Sequence, residues 1–283
     1  MTQLVLGTAQ FGTEYGAMNT VGRLGDAAVQ AVSTAAVQGG IEVFDTSSYY
    51  GDAQGRLGEA FEGRPKPRFI SKFGLDGPTV ELGKQLDATL RSLRVDSLEA
   101  LLFHRVDDLR DPRAPRACQL LREARAAGLV KHVGASIYDS ADLEIALELM
   151  PDLDIVQLPA NALDRRLLEH PMLDEFHRRG GLVHVRSAYL QGVLLAPLSS
   201  IPGHLSELRP AVAHIQEVAT ERDIPLIELL LGFLKHHPLV DAVVVGALTA
   251  PEMRQTLSAW NDAAAVEFEV PVLADALLDP RRW

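Results

Sequence analysis

The chain has 283 residues and a formal net charge of −11, with 47% hydrophobic and 23% charged residues. That is the balance of a globular protein able to bury a sizeable core. An acidic balance without clustered Lys and Arg argues against a nucleic-acid surface and against docking on an anionic membrane. A phosphate-bearing small molecule stays open, because backbone N–H groups and a few local cations suffice to hold one.

In chain order, short β-branched runs alternate with segments of helical period. The opening MTQLVLGTAQFG has no basic n-region and no long apolar h-region, so it reads as a first strand, Leu4–Leu6, and not as a secretory signal. A helix over Asp26–Gln38, a strand over Ile41–Phe44 and a helix over Arg56–Phe61 follow. Then come the strand Phe69–Ser71, the helix Val80–Leu93 with Leu86, Leu90 and Leu93 at three- and four-residue spacing, and the strand Ala100–Phe103. The helix Arg116–Ala127 carries Cys118, the only cysteine, which excludes an intrachain disulfide and reads as a small packed thiol. Strands Val130–Gly134, Ile155–Leu158, Leu182–Val185 and Ala242–Val245 alternate with helices Ala141–Met150, Leu167–Arg179, two within Pro210–Lys235, and Pro251–Trp260. The longest apolar stretch, Ile224 to Leu234, carries Pro225 and Glu228 and is too short to span a bilayer, so the expectation is a cytoplasmic protein.

Strand then helix, eight times over, is the pattern of a closed parallel barrel. The alternative, an open doubly wound sheet, usually shows a Gly-rich phosphate turn after its first strand. Here Gly7, Gly12 and Gly16 lack that spacing, and no linker or composition shift divides residues 1–283, so one domain is expected. The least regular parts are the loop from Ser187 to Ser206 and the tail after Asp262, both of which could shape a pocket.

In a barrel, chemistry belongs at the C-terminal ends of the strands. The second strand ends in Asp45, the third in Lys72 and the fourth in His104. Each has a structural alternative: an Asp caps turns, and a lone His is often a hydrogen-bonded core residue. A lysine within Phe-Ile-Ser-Lys-Phe-Gly is harder to place without a carboxylate partner, which Asp45 could supply. After the second strand comes Asp45-Thr46-Ser47-Ser48-Tyr49-Tyr50-Gly51, where a tyrosine could face that pair. A phenol with a free pKa of about 10 is a poor general acid near neutrality, and an adjacent ammonium is expected to pull that value down.

At these residues the chain resembles the aldo-keto reductases. Their pattern D-T-x-x-x-Y-G is matched by Asp45 to Gly51, their strand-end lysine by Lys72 and their strand-end histidine by His104. The likeness runs from Leu6-Gly7-Thr8 to Val245-Gly246-Ala247. The runs from Val156 to Asn161 and from Arg186 to Gly192 look like a bacterial branch. The resemblance implies a (β/α)8 barrel, NADPH or NADH as cofactor, and reduction of a polar aldehyde or ketone, with a sugar-type carbonyl as the expected substrate. It implies that Tyr50, not Tyr49, is the proton donor, that Lys72 and Asp45 tune it, and that His104 orients the carbonyl.

The same resemblance assigns a cofactor set. Ser136 and Gln157 stand where the family binds the nicotinamide carboxamide, while Ile137 replaces the usual asparagine. Arg186 stands where an aromatic usually stacks on the nicotinamide; its flat guanidinium could stack as well, or be satisfied by loop carbonyls or a carboxylate. Ser187, Gln191 and Gly192 match the loop that wraps the pyrophosphate, and Gly7, Thr8 and Gly246 complete the strand ends. After the eighth strand, NADP-selective members commonly place a Lys-Ser pair and an Arg for the 2′-phosphate. Here there is no lysine, Glu252 aligns with the arginine, and Arg254 is the only local cation. Thr249 and the following helix N-terminus could still donate hydrogen bonds, and Gln255 could reach the adenine edge. The expectation is weak NADP preference, with dual or NAD use.

Two rival readings remain. A metal-dependent hydrolase would want ligand pairs such as His-x-His on one strand; none occurs, and His236-His237 reads as a surface or partly packed pair on a helix. A barrel that binds a cofactor or partner without turnover is the other. Oxidation of a sugar or other alcohol uses the same chemistry in reverse. The loops near Tyr15 and Asp107-Asp108, and the tail Arg281-Arg282-Trp283, are expected around the substrate. Oligomeric state is left open.

Overall fold

A computed structural model of the chain describes residues 1–76 and 81–283. Eight parallel strands close on themselves in sequence order: β1 (Gln3–Gly7), β2 (Val43–Asp45), β3 (Arg68–Phe73), β4 (Leu98–Phe103), β5 (Val130–Ser136), β6 (Ile155–Pro159), β7 (Leu182–Arg186) and β8 (Ala242–Val245), with β8 pairing back onto β1. Helices follow the strands and pack outside them, the (β/α)8 architecture. Among the described residues no helix is long and apolar enough to cross a membrane.

Side chains alternate across each strand. Val5, Val43, Ile70, Ala100, Leu102, Ile155, Ala242 and Val244 form one buried cluster inside the barrel. Residues of the other parity, among them Leu4, Leu6, Phe44, Phe69, Leu101, Val133, Val156 and Val183, join the larger core beneath the helices. Parity therefore decides where the polar strand ends point. Counting two residues on from Val43, Ile70, Leu102 and Ile155 gives Asp45, Lys72, His104 and Gln157. The bulky apolar layer closes the barrel below, and the polar residues stand on top of it.

The elements differ from the sequence reading mostly at their ends, each time for a local reason. Ile41 is not part of β2, because its N–H bonds to Ala36 O and closes the C-terminal turn of the helix Asp26–Gln38, with Gly40 at φ +90°. β3 continues past Ser71 to Phe73, so Lys72 is a ladder residue paired with Leu102. The helix expected from Leu167 begins at Pro171. The residue before a proline is kept out of the helical region, and Pro fits the first turn. The long segment Pro210–Lys235 is two helices, Arg209–Glu221 and Leu226–Lys235, separated before Pro225. The helix expected over Val80–Leu93 spans Leu82–Leu93, and its proposed first residue, Val80, lies outside the described residues. His236 and His237, expected on a helix, lie just beyond its end, where the His236 ring meets Ala263 O at 3.0 Å. Cys118 is buried in the helix Ala114–Ala126.

A second apolar cluster lies outside the barrel. Leu190, Val193, Leu194, Ile201, Leu205 and Leu208 from the loop after β7 pack with Val212, Ile215, Leu229, Phe268 and Leu278. This gives the long loop and the tail a small core of their own, which positions both over the barrel mouth.

Candidate active site

Asp45, Lys72, Tyr50 and His104 meet at the C-terminal mouth of the barrel. Lys72 is 1% and Asp45 3% exposed, and the Lys72 ammonium forms an ion pair with Asp45 Oδ1. Neither charge belongs in such surroundings alone. Lys72 Nζ also lies 3.3 Å from Thr46 O and 3.5 Å from the Tyr50 hydroxyl. From the far wall, Gln157 Nε2 donates to Asp45 Oδ2 at 2.7 Å, and Thr8 Oγ1 donates to the Asp45 carbonyl at 2.9 Å.

The adjacent tyrosines part company. The Tyr50 ring stands edge-on to His104, with centroids 5.5 Å apart, and Lys72 Nζ lies 5.2 Å from its centre. The Tyr49 hydroxyl turns outward to the Asp76 carboxylate and to Arg105 Nη2 at 3.3 Å. Only Tyr50 faces the ion pair. Its segment is seated tightly: Gly51 has φ +53°, and a Cβ on Gly12 would overlap the Tyr50 carbonyl.

Electrostatics follow burial. Burial pulls the Lys72 ammonium below its ordinary value, opposed by the Asp45 carboxylate beside it. The Tyr50 phenol is pushed up, first by burial and then by the Asp45 charge, with Arg186 working against both. This corrects the expectation of a lowered phenol: the ammonium meant to attract a phenolate is already matched by Asp45. Tyr50 is therefore a protonated donor across the physiological range. His104 is lowered to about 3, by burial first and then by the charges of Lys72, Arg186 and Arg105, so its ring is neutral near pH 7.

A cavity of about 280 Å³ opens beside Asp45 and Tyr50 and runs past Gly7, Arg186 and Gly246 to Glu252 and Gln255. Of the residues assigned from the sequence, Gly7, Thr8, Asp45, Tyr50, Arg186, Ser187, Gln191, Gly192, Gly246 and Gln255 line it. Ser136 and Gln157 are buried and paired in register on β5 and β6. Thr249 does not line the cavity; its side chain caps the helix Ala250–Asp262 by accepting from Glu252 N at 3.2 Å. Arg254 is exposed on that helix, outside the lining. Gln191, at φ +55°, spends its side-chain oxygen on Ala17 N at 2.9 Å, and its carbonyl accepts from Met18 N at 3.3 Å.

Arg186 takes the loop-carbonyl option: Nη2 donates to Ile137 O at 3.0 Å, and the guanidinium lies 4.0 Å from the centre of the Tyr138 ring. Arg281 of the tail flanks the same ring at 3.7 Å. Tyr138, Arg281, Gln10 and Ser47 carry contacts that the sequence reading did not foresee. Tyr138 stands two residues after Ser136, just past the end of β5, and nothing in the sequence pairs it with Arg281. Among the described residues no group of three or more His, Cys, Asp or Glu side chains could hold a metal ion.

A dinucleotide fits what the cavity offers. Gln157 Oε1 and Ser187 Oγ are buried polar atoms without partners among the described residues. Unpartnered buried acceptors and hydroxyls are costly unless something satisfies them. Gly246 lines the cavity, and a Cβ there would overlap the Gln10 side chain, which lines it too.

The family model for the aldo/keto reductase family matches residues 3–268. The chain belongs to the aldo/keto reductase family. As a member it is an NAD(P)H-dependent oxidoreductase. Two bacterial relatives are both named 6-dehydroglucose reductase. The protein from Agrobacterium fabrum is 24% identical over 264 residues, covering 84% of this chain and 86% of its own. The one from Novosphingobium aromaticivorans is 25% identical over 251 residues, covering 83% and 79%. Among solved structures, an aldo-keto reductase from Bacillus halodurans in its holo form superposes with a TM-score of 0.77 at 20% identity, covering 94% of this chain and 88% of that one. An aldo/keto reductase from Klebsiella pneumoniae, in complex with NADP and acetate, gives 0.70 at 20% identity, covering 93% and 87%. At that identity the structures attest the shared barrel of this aldo/keto reductase.

Proposed function

We propose that this aldo/keto reductase reduces a small polar aldehyde or ketone of sugar type, with Tyr50 as the proton donor. The observation that carries the reading is the Tyr50 hydroxyl at the cavity wall, 3.5 Å from a buried ammonium and edge-on to a neutral imidazole. Bound nicotinamide supplies hydride to the carbonyl carbon. The protein's part is to hold the carbonyl and protonate its oxygen. Tyr50 gives up its proton as negative charge develops there. Lys72, fixed by Asp45, stabilises the resulting phenolate, so the ammonium helps most once the proton has left. His104 donates a hydrogen bond to the same oxygen. Gln157 holds the rear of Asp45, so the pair does not reorganise during the step.

Ser136, Gln157 and Arg186 would hold the nicotinamide end, Ser187, Gln191 and Gly192 the diphosphate, and Gly246 and Gln255 the adenosine end. The adenosine end favours the cofactor without a 2′-phosphate. Glu252 lines the cavity there, its carboxylate accepts from Leu248 N at 2.9 Å, and among the described residues Arg186 is the only Lys or Arg in the lining. The positive end of the helix thus already faces a carboxylate of its own, which would repel a phosphate. Preference for NADH makes oxidation of the corresponding alcohol a second direction for the same site. The sugar-type substrate is supported by the names of the two relatives. Tyr50→Phe tests the central role: turnover of a polar aldehyde should be lost while NADH still binds with its original affinity. Unchanged turnover would remove Tyr50 from the chemistry.

A further inference from the structure

Ser47 lies two residues beyond Asp45, fully buried, with its Oγ 2.8 Å from His104 Nδ1. A hydroxyl has one proton to give and two lone pairs to offer. One lone pair takes the Tyr49 N–H at 3.1 Å. The proton has two acceptors within reach, His104 Nδ1 and the Lys72 carbonyl at 3.4 Å. Lys72 O already receives the Ser48 N–H at 3.2 Å and the Ser48 hydroxyl at 3.1 Å, which fills both its lone pairs. A separation of 3.4 Å is also outside the roughly 2.5–3.0 Å range of O–H···O bonds. The Ser47 proton therefore belongs on Nδ1.

We propose that Ser47 is a positioning residue that fixes His104 as its Nε2–H tautomer, leaving the proton-bearing nitrogen to meet the substrate's carbonyl oxygen. Nδ1 is then the acceptor, and Nε2 has no partner among the described residues. The ring cannot easily turn to exchange the two nitrogens, because Tyr49 and Tyr50 stand against it with centroids at 5.1 and 5.5 Å. His104 carries a single proton near neutral pH, since burial and the charges of Lys72, Arg186 and Arg105 hold it well below the ordinary imidazole range. A neutral ring with its proton on Nδ1 would present a lone pair to the carbonyl oxygen and repel it. The tautomer thus decides whether this corner of the site attracts the substrate oxygen at all. The catalytic half of this inference rests on the reading of His104 under Proposed function; the tautomer itself does not.

Long-range 1H–15N correlation spectra of the apo-protein near neutral pH, with His104 assigned through His104→Gln, report the tautomer directly. The expected result is protonated Nε2 and bare Nδ1 in the native protein. Ser47→Ala should lose that preference, and Ser47→Thr, which keeps the hydroxyl, should restore it. With a polar aldehyde, kcat/KM of Ser47→Ala should fall by at least about tenfold, short of the roughly 10²–10³ lost when an oxyanion donor is removed outright, with NADH affinity unchanged. A native spectrum showing protonated Nδ1, or an Nε2–H tautomer that survives Ser47→Ala, overturns the assignment. A tautomer that shifts in Ser47→Ala without loss of kcat/KM overturns the catalytic half alone. Failure of the reductase reading is separate, since it would appear in Tyr50→Phe whatever the tautomer.

Discussion

Gln157 reaches across the barrel from β6 to β2 and donates to Asp45 Oδ2 at 2.7 Å, while Lys72 holds the other carboxylate oxygen. Three strands thereby tie their polar ends together among side chains no more than 3% exposed, and altering one of the three alone leaves a buried group unmatched.

Asp45→Asn is the sharpest case. It removes the counter-charge of a lysine that is 1% exposed. Removing one partner of a buried ion pair costs about 3–5 kcal/mol, whereas replacing both by apolar residues is often near neutral. Denaturant unfolding should show the single variant less stable than Asp45→Asn combined with Lys72→Met. Equal stabilities would mean that Lys72 finds another partner.

Cofactor choice should turn on one side chain. Glu252→Lys replaces the carboxylate at the adenosine end with a cation, and fluorescence titration should show NADPH binding at least about tenfold tighter, or about 1.4 kcal/mol. NADH affinity should change much less. An equal gain for both cofactors would place Glu252 away from the 2′ position.

Two histidines, half-buried His104 and buried His184, contribute to the acid limb of stability. His104 is lowered to about 3 and His184 to about 4, in both cases chiefly by burial. Unfolded histidines titrate near about 6.5, so between that pH and the lowered values the unfolded chain binds more protons than the native one. Stability is therefore full above about pH 6.5 and falls as the pH drops towards 4. In His184→Gln the slope of unfolding free energy against pH over this window should be shallower by about one proton. An unchanged slope would show that His184 titrates normally in the fold.

Gly12→Ala tests the seat of Tyr50. The added Cβ would overlap the Tyr50 carbonyl and lie 2.7 Å from Ala53 N. Overpacking of this kind costs about 1–3 kcal/mol. Turnover should fall further than stability requires, because the displaced backbone carries the proton donor. Native kcat in this variant would show that the loop yields without moving the hydroxyl.

The barrel was legible because strand and helix periods alternate so regularly that errors are confined to ends set by local chemistry, such as the Pro171 helix start. Asp45, Lys72 and His104 were legible because strand parity puts all three on the inner face. The choice between Tyr49 and Tyr50 needed a family pattern; in the structure Asp76 and Arg105 hold Tyr49 outward. The direction of the Tyr50 shift could not be read, since it depends on how completely Asp45 matches Lys72 and how deeply the phenol is buried. Nor could Ser47 or the Arg281 stack on Tyr138, because those contacts join residues far apart in the chain through geometry that no spacing encodes.

The bonds from Ala17 N and Met18 N to Gln191 join the flap after β1 to the flap after β7 above the cavity. Each such bond contributes a net of about 0.5–1.5 kcal/mol, and Ala17 and Met18 also pack against the apolar cluster under the loop after β7. Unfolding the barrel beneath would demand the whole stability of the fold. The two flaps are thus a contact that can part while the barrel stays folded, so a doorway made there would leave the chemistry below undisturbed.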